Sequence, residues 1–204
     1  GTTNVNIVGG DVSGENSLAN FANTVTVTAI TLDDNTGTAS VIFSGTGTTI
    51  TGTINGAAAG EGTITVSGTP TFASIIGGSQ RPGQLTINGA TTFQDAVTTT
   101  ALTTTAAISN GTTLSVTGTS SIGASITTTG TQTYTGNATL TNAATLTTTS
   151  NGSITFSGNI SNTSAQNLTL SAAGSGTIGV TGTVGSSTAL GTLTISQSAG
   201  TTFS

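Results

Sequence analysis

At nine places among others along this chain two apolar residues flank a single polar or small one: Val5-Asn6-Ile7, Val25-Thr26-Val27, Ile64-Thr65-Val66, Leu85-Thr86-Ile87, Leu114-Ser115-Val116, Ile154-Thr155-Phe156, Leu168-Thr169-Leu170, Ile178-Gly179-Val180 and Leu193-Thr194-Ile195. An extended backbone turns successive side chains to opposite faces, so each triplet can bury its outer two residues and leave the middle one outside. A helix would need apolar residues at spacings of three and four. No such period appears, and Gly and β-branched residues are too dense for a long helix. Asn55-Gly56, Asn88-Gly89, Asn110-Gly111 and Asn151-Gly152 punctuate the alternation, and such pairs tolerate the left-handed backbone of tight turns. The chain reads as all-β.

A second regularity lies on a longer scale. The segment from Ala58 to Thr69 returns from Ala172 to Thr183, 114 positions on, with nine of twelve residues identical. At an offset of 108, Gly83-Gln84-Leu85-Thr86-Ile87 matches Gly191-Thr192-Leu193-Thr194-Ile195, and Thr91-Thr92-Phe93 is answered by Thr201-Thr202-Phe203 at 110. The first copy holds six extra residues, Pro70 to Ile75, and the second gains two before its Thr-Thr-Phe. Both changes are even in length, which keeps every later residue of a strand on its original face.

Repetition of short strands admits a parallel β-solenoid or, as the alternative, tandem β-sandwich domains, because the repeat matches the length of an immunoglobulin-like domain. The residue supply favours the solenoid. With 6 Phe, 1 Tyr and no Trp, the chain is poor in the bulky groups that fill the ~10 Å gap of a sandwich, whereas a narrow coil is filled by Val, Ile, Leu, Ala and inward Thr. Thr stacked on successive rungs about 4.8 Å apart can bond hydroxyl to hydroxyl along the axis. Thr triplets starting at Thr103, Thr127 and Thr147 suggest rungs of roughly 20 to 25 residues, hence about eight to ten rungs and a rod of order 40 to 50 Å. Residues 56–204 form the solenoid repeat region, with copies near 58–93 and 172–203. Residues 1–55, richer in Asn and in acidic groups, are expected to be a divergent β segment that caps the array or contacts another subunit.

Charge and chemistry narrow the function. One Arg, no Lys and six acidic residues give a net charge of −5, which argues against nucleic acid as a partner. No run approaches the roughly 18 apolar residues of a membrane-spanning helix. The first residue is not Met, as expected of a processed or excerpted chain. Without His or Cys, the common nucleophile-base pairs and transition-metal ligand sets cannot be assembled. In the repeat region only Glu61, Arg81 and Asp95 carry charge, too few for paired-acid glycoside cleavage. Asp33-Asp34-Asn35 is the densest local oxygen cluster and the one weak Ca²⁺ candidate, although it lacks the Gly and distal Glu of a calcium loop. No catalytic residue and no cofactor are expected.

Residues 83–100 and 127–141, together with the duplicated Ala-Ala-Gly-x-Gly-Thr-Ile block, resemble the β-strand repeats of giant bacterial surface adhesins of the filamentous-haemagglutinin and autotransporter-passenger type. The resemblance covers about residues 56–204. It implies a right-handed parallel β-helix, export to the cell surface, and a role in adhesion, biofilm or an outer coat. The expectation is a non-catalytic segment or subunit of an extracellular fibre, stalk or adhesin. Its partners would be neighbouring repeats or further copies of itself, added head to tail, and a host or matrix surface, with no membrane insertion. An ice-binding β-solenoid, suggested by Thr24-Val25-Thr26-Val27-Thr28 and Thr131-Gln132-Thr133-Tyr134-Thr135, and a carbohydrate-binding β-helix are the alternatives.

Overall fold

The computed structural model describes residues 3–12 and 14–204, among which every regular element is a strand. In chain order these are β1 (Asn4–Val8), β2 (Asn16–Phe21), β3 (Val25–Asp33), β4 (Thr38–Phe43), β5 (Thr46–Gly56), β6 (Glu61–Val66), β7 (Thr69–Phe72), β8 (Pro82–Ile87), β9 (Thr91–Phe93), β10 (Val97–Thr99), β11 (Ala101–Thr104) and β12 (Ile108–Asn110). They continue as β13 (Leu114–Val116), β14 (Ser120–Ile122), β15 (Ile126–Thr128), β16 (Gln132–Tyr134), β17 (Ala138–Leu140), β18 (Ala144–Thr148), β19 (Ile154–Phe156), β20 (Ile160–Asn162), β21 (Leu168–Ala172), β22 (Thr177–Val180), β23 (Leu193–Gln197) and β24 (Gly200–Phe203).

The strands stack into a parallel β-solenoid of about 9 turns, consistent with a right-handed β-helix. Tandem sandwiches would be antiparallel. Three faces run its length. Face 1 stacks β7, β9, β12, β15, β18, β21 and β23; face 2 stacks β10, β13, β16, β19, β22 and β24; face 3 stacks β2, β4, β6, β8, β11, β14, β17 and β20. In the first rungs β3 and β5 serve faces 1 and 2 in turn, bending at the register shift between Thr26 and Ala29 of β3, opposite Thr51 and Thr53 of β5. A bulge bends a strand without ending it. The second halves of β3 and β5 therefore lie on face 2, where one inward column runs from Val5 through Ile30, Ile54, Ile76, Val97, Leu114, Gln132, Ile154 and Ile178 to Thr201. Residues 4–56 belong to these same columns, and the position near residue 55 falls inside a continuous stack.

The smallest unit is six residues long. From Leu102 the chain steps to Ile108, Leu114, Ser120, Ile126, Gln132, Ala138 and Ala144, and the residues two further on are Thr104, Asn110, Val116, Ile122, Thr128, Tyr134, Leu140 and Leu146; all sixteen are buried. Each hexad is one face: a three-residue strand with its ends inward, then a three-residue corner. Three hexads close a rung, so Ile108 pairs with Ile126, Leu114 with Gln132 and Ser120 with Ala138. Longer corners stretch the rung elsewhere, as where Val25 pairs with Ile50 and Leu146 with Leu170. The step from Thr127 to Thr147 is a rung, since the two pair. The step from Thr103 to Thr127 is not: Thr103 pairs with Ser121 on face 3.

The long duplication follows from the same unit. Ile64 and Val66 of the first copy and Ile178 and Val180 of the second are all buried, so facing is preserved. Yet β6 lies on face 3 and β22 on face 2. The extra residues Pro70 to Ile75 carry most of β7, an added side of the triangle. The copies are thus a reused corner and strand, not stacked equivalents.

Asn88-Gly89 and Asn151-Gly152 fall at corners, whereas Asn55-Gly56 closes β5 and Asn110 closes β12 with its side chain inward. Among the eight residues of the four Asn-Gly pairs only Asn151 has positive φ, at 57°. Glycine is needed because rungs touch at the corners: a Cβ on Gly136 would overlap the Gly118 carbonyl, one on Gly158 the Gly136 carbonyl, and one on Gly182 the Gly158 carbonyl. A side chain there would force the rungs apart.

Candidate functional surfaces

Outward positions carry a hydroxyl on most rungs. On face 1 Thr49, Thr71, Thr92, Ser109, Thr127, Thr147 and Ser171 stand in one register. On face 3 the file is Thr65, Thr86, Thr103, Ser121, Thr139 and Ser161. Axial hydroxyl pairs form at Thr139 with Ser161, 3.3 Å, and at Ser153 with Thr177, 3.0 Å. Elsewhere the threonines that follow a strand bond backward instead. Thr105, Thr149 and Thr163 each donate to a strand-end carbonyl of the previous rung, Ile87, Thr128 and Leu140 respectively. Where the chain leaves the sheet at a corner, that carbonyl is the stronger acceptor within reach. Over the short central rungs face 1 is slightly recessed, forming an open groove of about 460 Å³ floored by Thr92, Ser109 and Thr127. Such a surface can exchange hydrogen bonds with neutral polar partners.

Corner amides are capped across rungs. Asn137 Oδ1 accepts from the Asn159 amide at 3.0 Å, and Asn159 Oδ1 from the Thr183 amide at 2.9 Å. Asn151 does the same for Ser175, 2.9 Å, and Asn55 for Ser79, 3.1 Å. These bonds fix one rung on the next and leave the Asn side chains engaged in structure.

The oxygens of Asp33 and Asp34, in the Ca²⁺ candidate, accept backbone amides in the same way. Asp34 Oδ1 accepts from the Ala39 amide at 2.8 Å and Oδ2 from the Gly62 amide at 3.0 Å. Asp33 Oδ1 takes the Asn35 amide at 3.0 Å, with Asn35 at φ 47°. Asp34 therefore ties its own turn to the next rung, and Gly62, at φ 81°, has no room for a Cβ because Leu32 lies against it. Among the described residues no three metal-ligating acidic side chains gather. The three charges of the repeat region stay apart in role: Glu61 Oε2 accepts from the Ala58 amide at 3.0 Å, Arg81 Nε donates to Thr100 Oγ1 at 3.2 Å, and Asp95 Oδ1 accepts from the Ala96 amide at 2.7 Å. Tyr134 is wholly inside, stacked on Phe156 with centroids 4.7 Å apart, so it presents no aromatic platform to a sugar.

The two ends of the rod are the surfaces that the sequence reading left unspecified in detail. Every exposed large apolar side chain among the described residues sits in the first or last turn: Val8, Val12 and Leu18 at one end, Val184, Ile195 and Phe203 at the other. The last three align with buried Ile160, Leu170 and Val180 one rung below. They are core positions, and among the described residues no further rung lies beyond them. The signal was present in the repeated Thr-Thr-Phe, whose second copy lies at this edge.

No protein-family model, no curated protein and no solved structure matches the chain.

Proposed function

We propose that this chain is a non-catalytic structural segment of an extracellular bacterial surface fibre, stalk or adhesin, whose work is to hold a straight, stackable shaft. The observation that carries the reading is the face 2 column, continuous from Val5 to Thr201. A one-dimensional stack in which each rung contacts only its neighbours lengthens without redesign, which is what a shaft requires. The neutral hydroxyl files and the charge-free sequence after Asp95 support an inert exterior over a site for one ligand. The likeness of residues 83–100 and 127–141 to surface-adhesin repeats supports the extracellular setting. Immunogold labelling of the source cells with antibody to the purified chain tests this. Label along fibres outside the envelope is expected, and label confined to the cell interior would overturn it.

The face 1 file of hydroxyls from Thr49 to Ser171 favours one second reading, an ice-binding face. Thermal hysteresis at high protein concentration would establish it, and its absence would remove it.

A further inference from the structure

We propose that the recess of face 1 binds an extended chain of an uncharged polysaccharide; this goes beyond the shaft reading and does not depend on it. Three cavities, of about 460, 330 and 150 Å³, make one trough. The first two share Thr92, Ser109 and Thr127 as their floor, and the third joins the second at Ser125. The trough opens over the rungs that three hexads close, where Ile108 pairs with Ile126, and reaches the longer rung in which Leu146 pairs with Leu170. It is the concave part of the rod, and concave sites with a few uncommitted polar groups are where ligands are held.

The lining fits a sugar chain. One side offers the methyl groups of Ala90, Ala107 and Ala143, the other the Thr129 hydroxyl and the Gln94 carboxamide, and a sugar ring likewise has C–H faces and an O–H rim. Among the described residues the floor hydroxyls of Thr92, Ser109 and Thr127 have no partner in the chain, whereas on face 3 those of Thr139 and Ser161 bond each other. An exposed carboxamide stands at either end, Gln94 at one and Asn167 at the other. Those of Asn55, Asn137, Asn151 and Asn159 are taken up by cross-rung bonds, and these two are not. A carboxamide both donates and accepts, which suits neighbouring sugar hydroxyls.

Charge and shape argue against other occupants. No lining residue is charged, and the net charge of −5 repels polyanions. An extended peptide docks by adding a strand to a sheet edge, but the floor strands β9, β12 and β15 are each paired on both sides. A second rod or an ice surface is flat and would bridge the hollow without filling it.

Native gels cast with dextran, mannan or hydroxyethyl cellulose, and with polygalacturonate as the anionic control, test this on the full chain. At least one neutral polymer should retard it, and polygalacturonate should not. Ser109→Arg and Ser121→Arg make a matched pair, since each residue points outward from the centre of a three-residue strand, one on the trough floor and one on face 3. Ser109→Arg should raise the dissociation constant at least about tenfold and Ser121→Arg should leave it unchanged, while both melt as the unaltered chain does. No retardation by any of the three neutral polymers, equal retardation by polygalacturonate, or unchanged retardation of Ser109→Arg would overturn the proposal. So would self-association that Ser109→Arg abolishes in the absence of retardation, which would make a second copy the occupant. Labelling along fibres without retardation would remove the polysaccharide and leave the shaft reading standing.

Discussion

The Tyr134 phenol donates to Gln132 Oε1 at 3.0 Å, and both side chains are fully buried on the inward side of β16. The Gln132 amide nitrogen in turn donates to the Thr147 carbonyl at 2.9 Å and to the Ile126 carbonyl at 3.2 Å. A narrow tube brings every inward side chain close to the backbone of a neighbouring rung. Polar groups can therefore be buried and satisfied in the position that Leu114 fills one rung earlier.

Burial raises the Tyr134 pKa well above its ordinary value of 10.0. The unfolded phenol loses its proton as pH rises past about 10 while the folded one keeps it. Stability is therefore full below that pH and falls above it, by about 1.4 kcal/mol per pH unit. Tyrosinate absorbance should appear only as the chain unfolds, and Tyr134→Phe should flatten the alkaline loss. That variant leaves Gln132 Oε1 without its donor and should cost about 1–2 kcal/mol at neutral pH in denaturant melts.

The Asp34 carboxylate holds two amides that lie 23 positions apart in sequence, Ala39 and Gly62. Asp34→Ala should cost about 2–4 kcal/mol, because both amides lose a charged acceptor. Millimolar Ca²⁺ should leave the melting temperature of the unaltered chain where it is. A marked rise would mean that the metal competes successfully for Asp33, Asp34 and Asn35.

The same tripeptide occupies two environments. Phe93 is buried and stacked on Phe72 at 5.1 Å, whereas Phe203 lies at the open end. In dilute solution Phe93→Ala should cost about 3–5 kcal/mol and Phe203→Ala less than about 1.5 kcal/mol, as chemical denaturation will measure. Equal losses would mean that the last rung is covered.

All nine apolar triplets lie within strands, from Val5-Asn6-Ile7 in β1 to Leu193-Thr194-Ile195 in β23. They were legible because both inward positions are hydrocarbon or nearly so. Among the strands missed were several with a polar or small inward residue, such as Ile108-Ser109-Asn110, Ser120-Ser121-Ile122, Gln132-Thr133-Tyr134 and Ala138-Thr139-Leu140. Hydrophobic patterning cannot register Asn110, whose side chain donates to the Thr113 carbonyl at 2.9 Å, or Gln132, because backbone partners supplied by the fold offset their burial. Spacing would have found them, since the hexad persists even where hydrophobicity does not. The Asp33–Asn35 cluster was visible as a group of oxygens, but its partner Gly62 comes from the next rung, which no local reading supplies.

The hexad makes the central claim directly testable. Deleting Leu114 to Thr131 removes three faces and sets Gln132 over Val97 in the place of Leu114, so a stack of equivalent rungs should re-form one rung shorter. Deleting Leu114 alone instead turns every later strand of the run inside out. Thermal melting of the two variants followed by circular dichroism decides the matter. A cooperative β transition for the long deletion and none for the single one is the result this account predicts, and loss of folding in the long deletion with retention in the short one would contradict it.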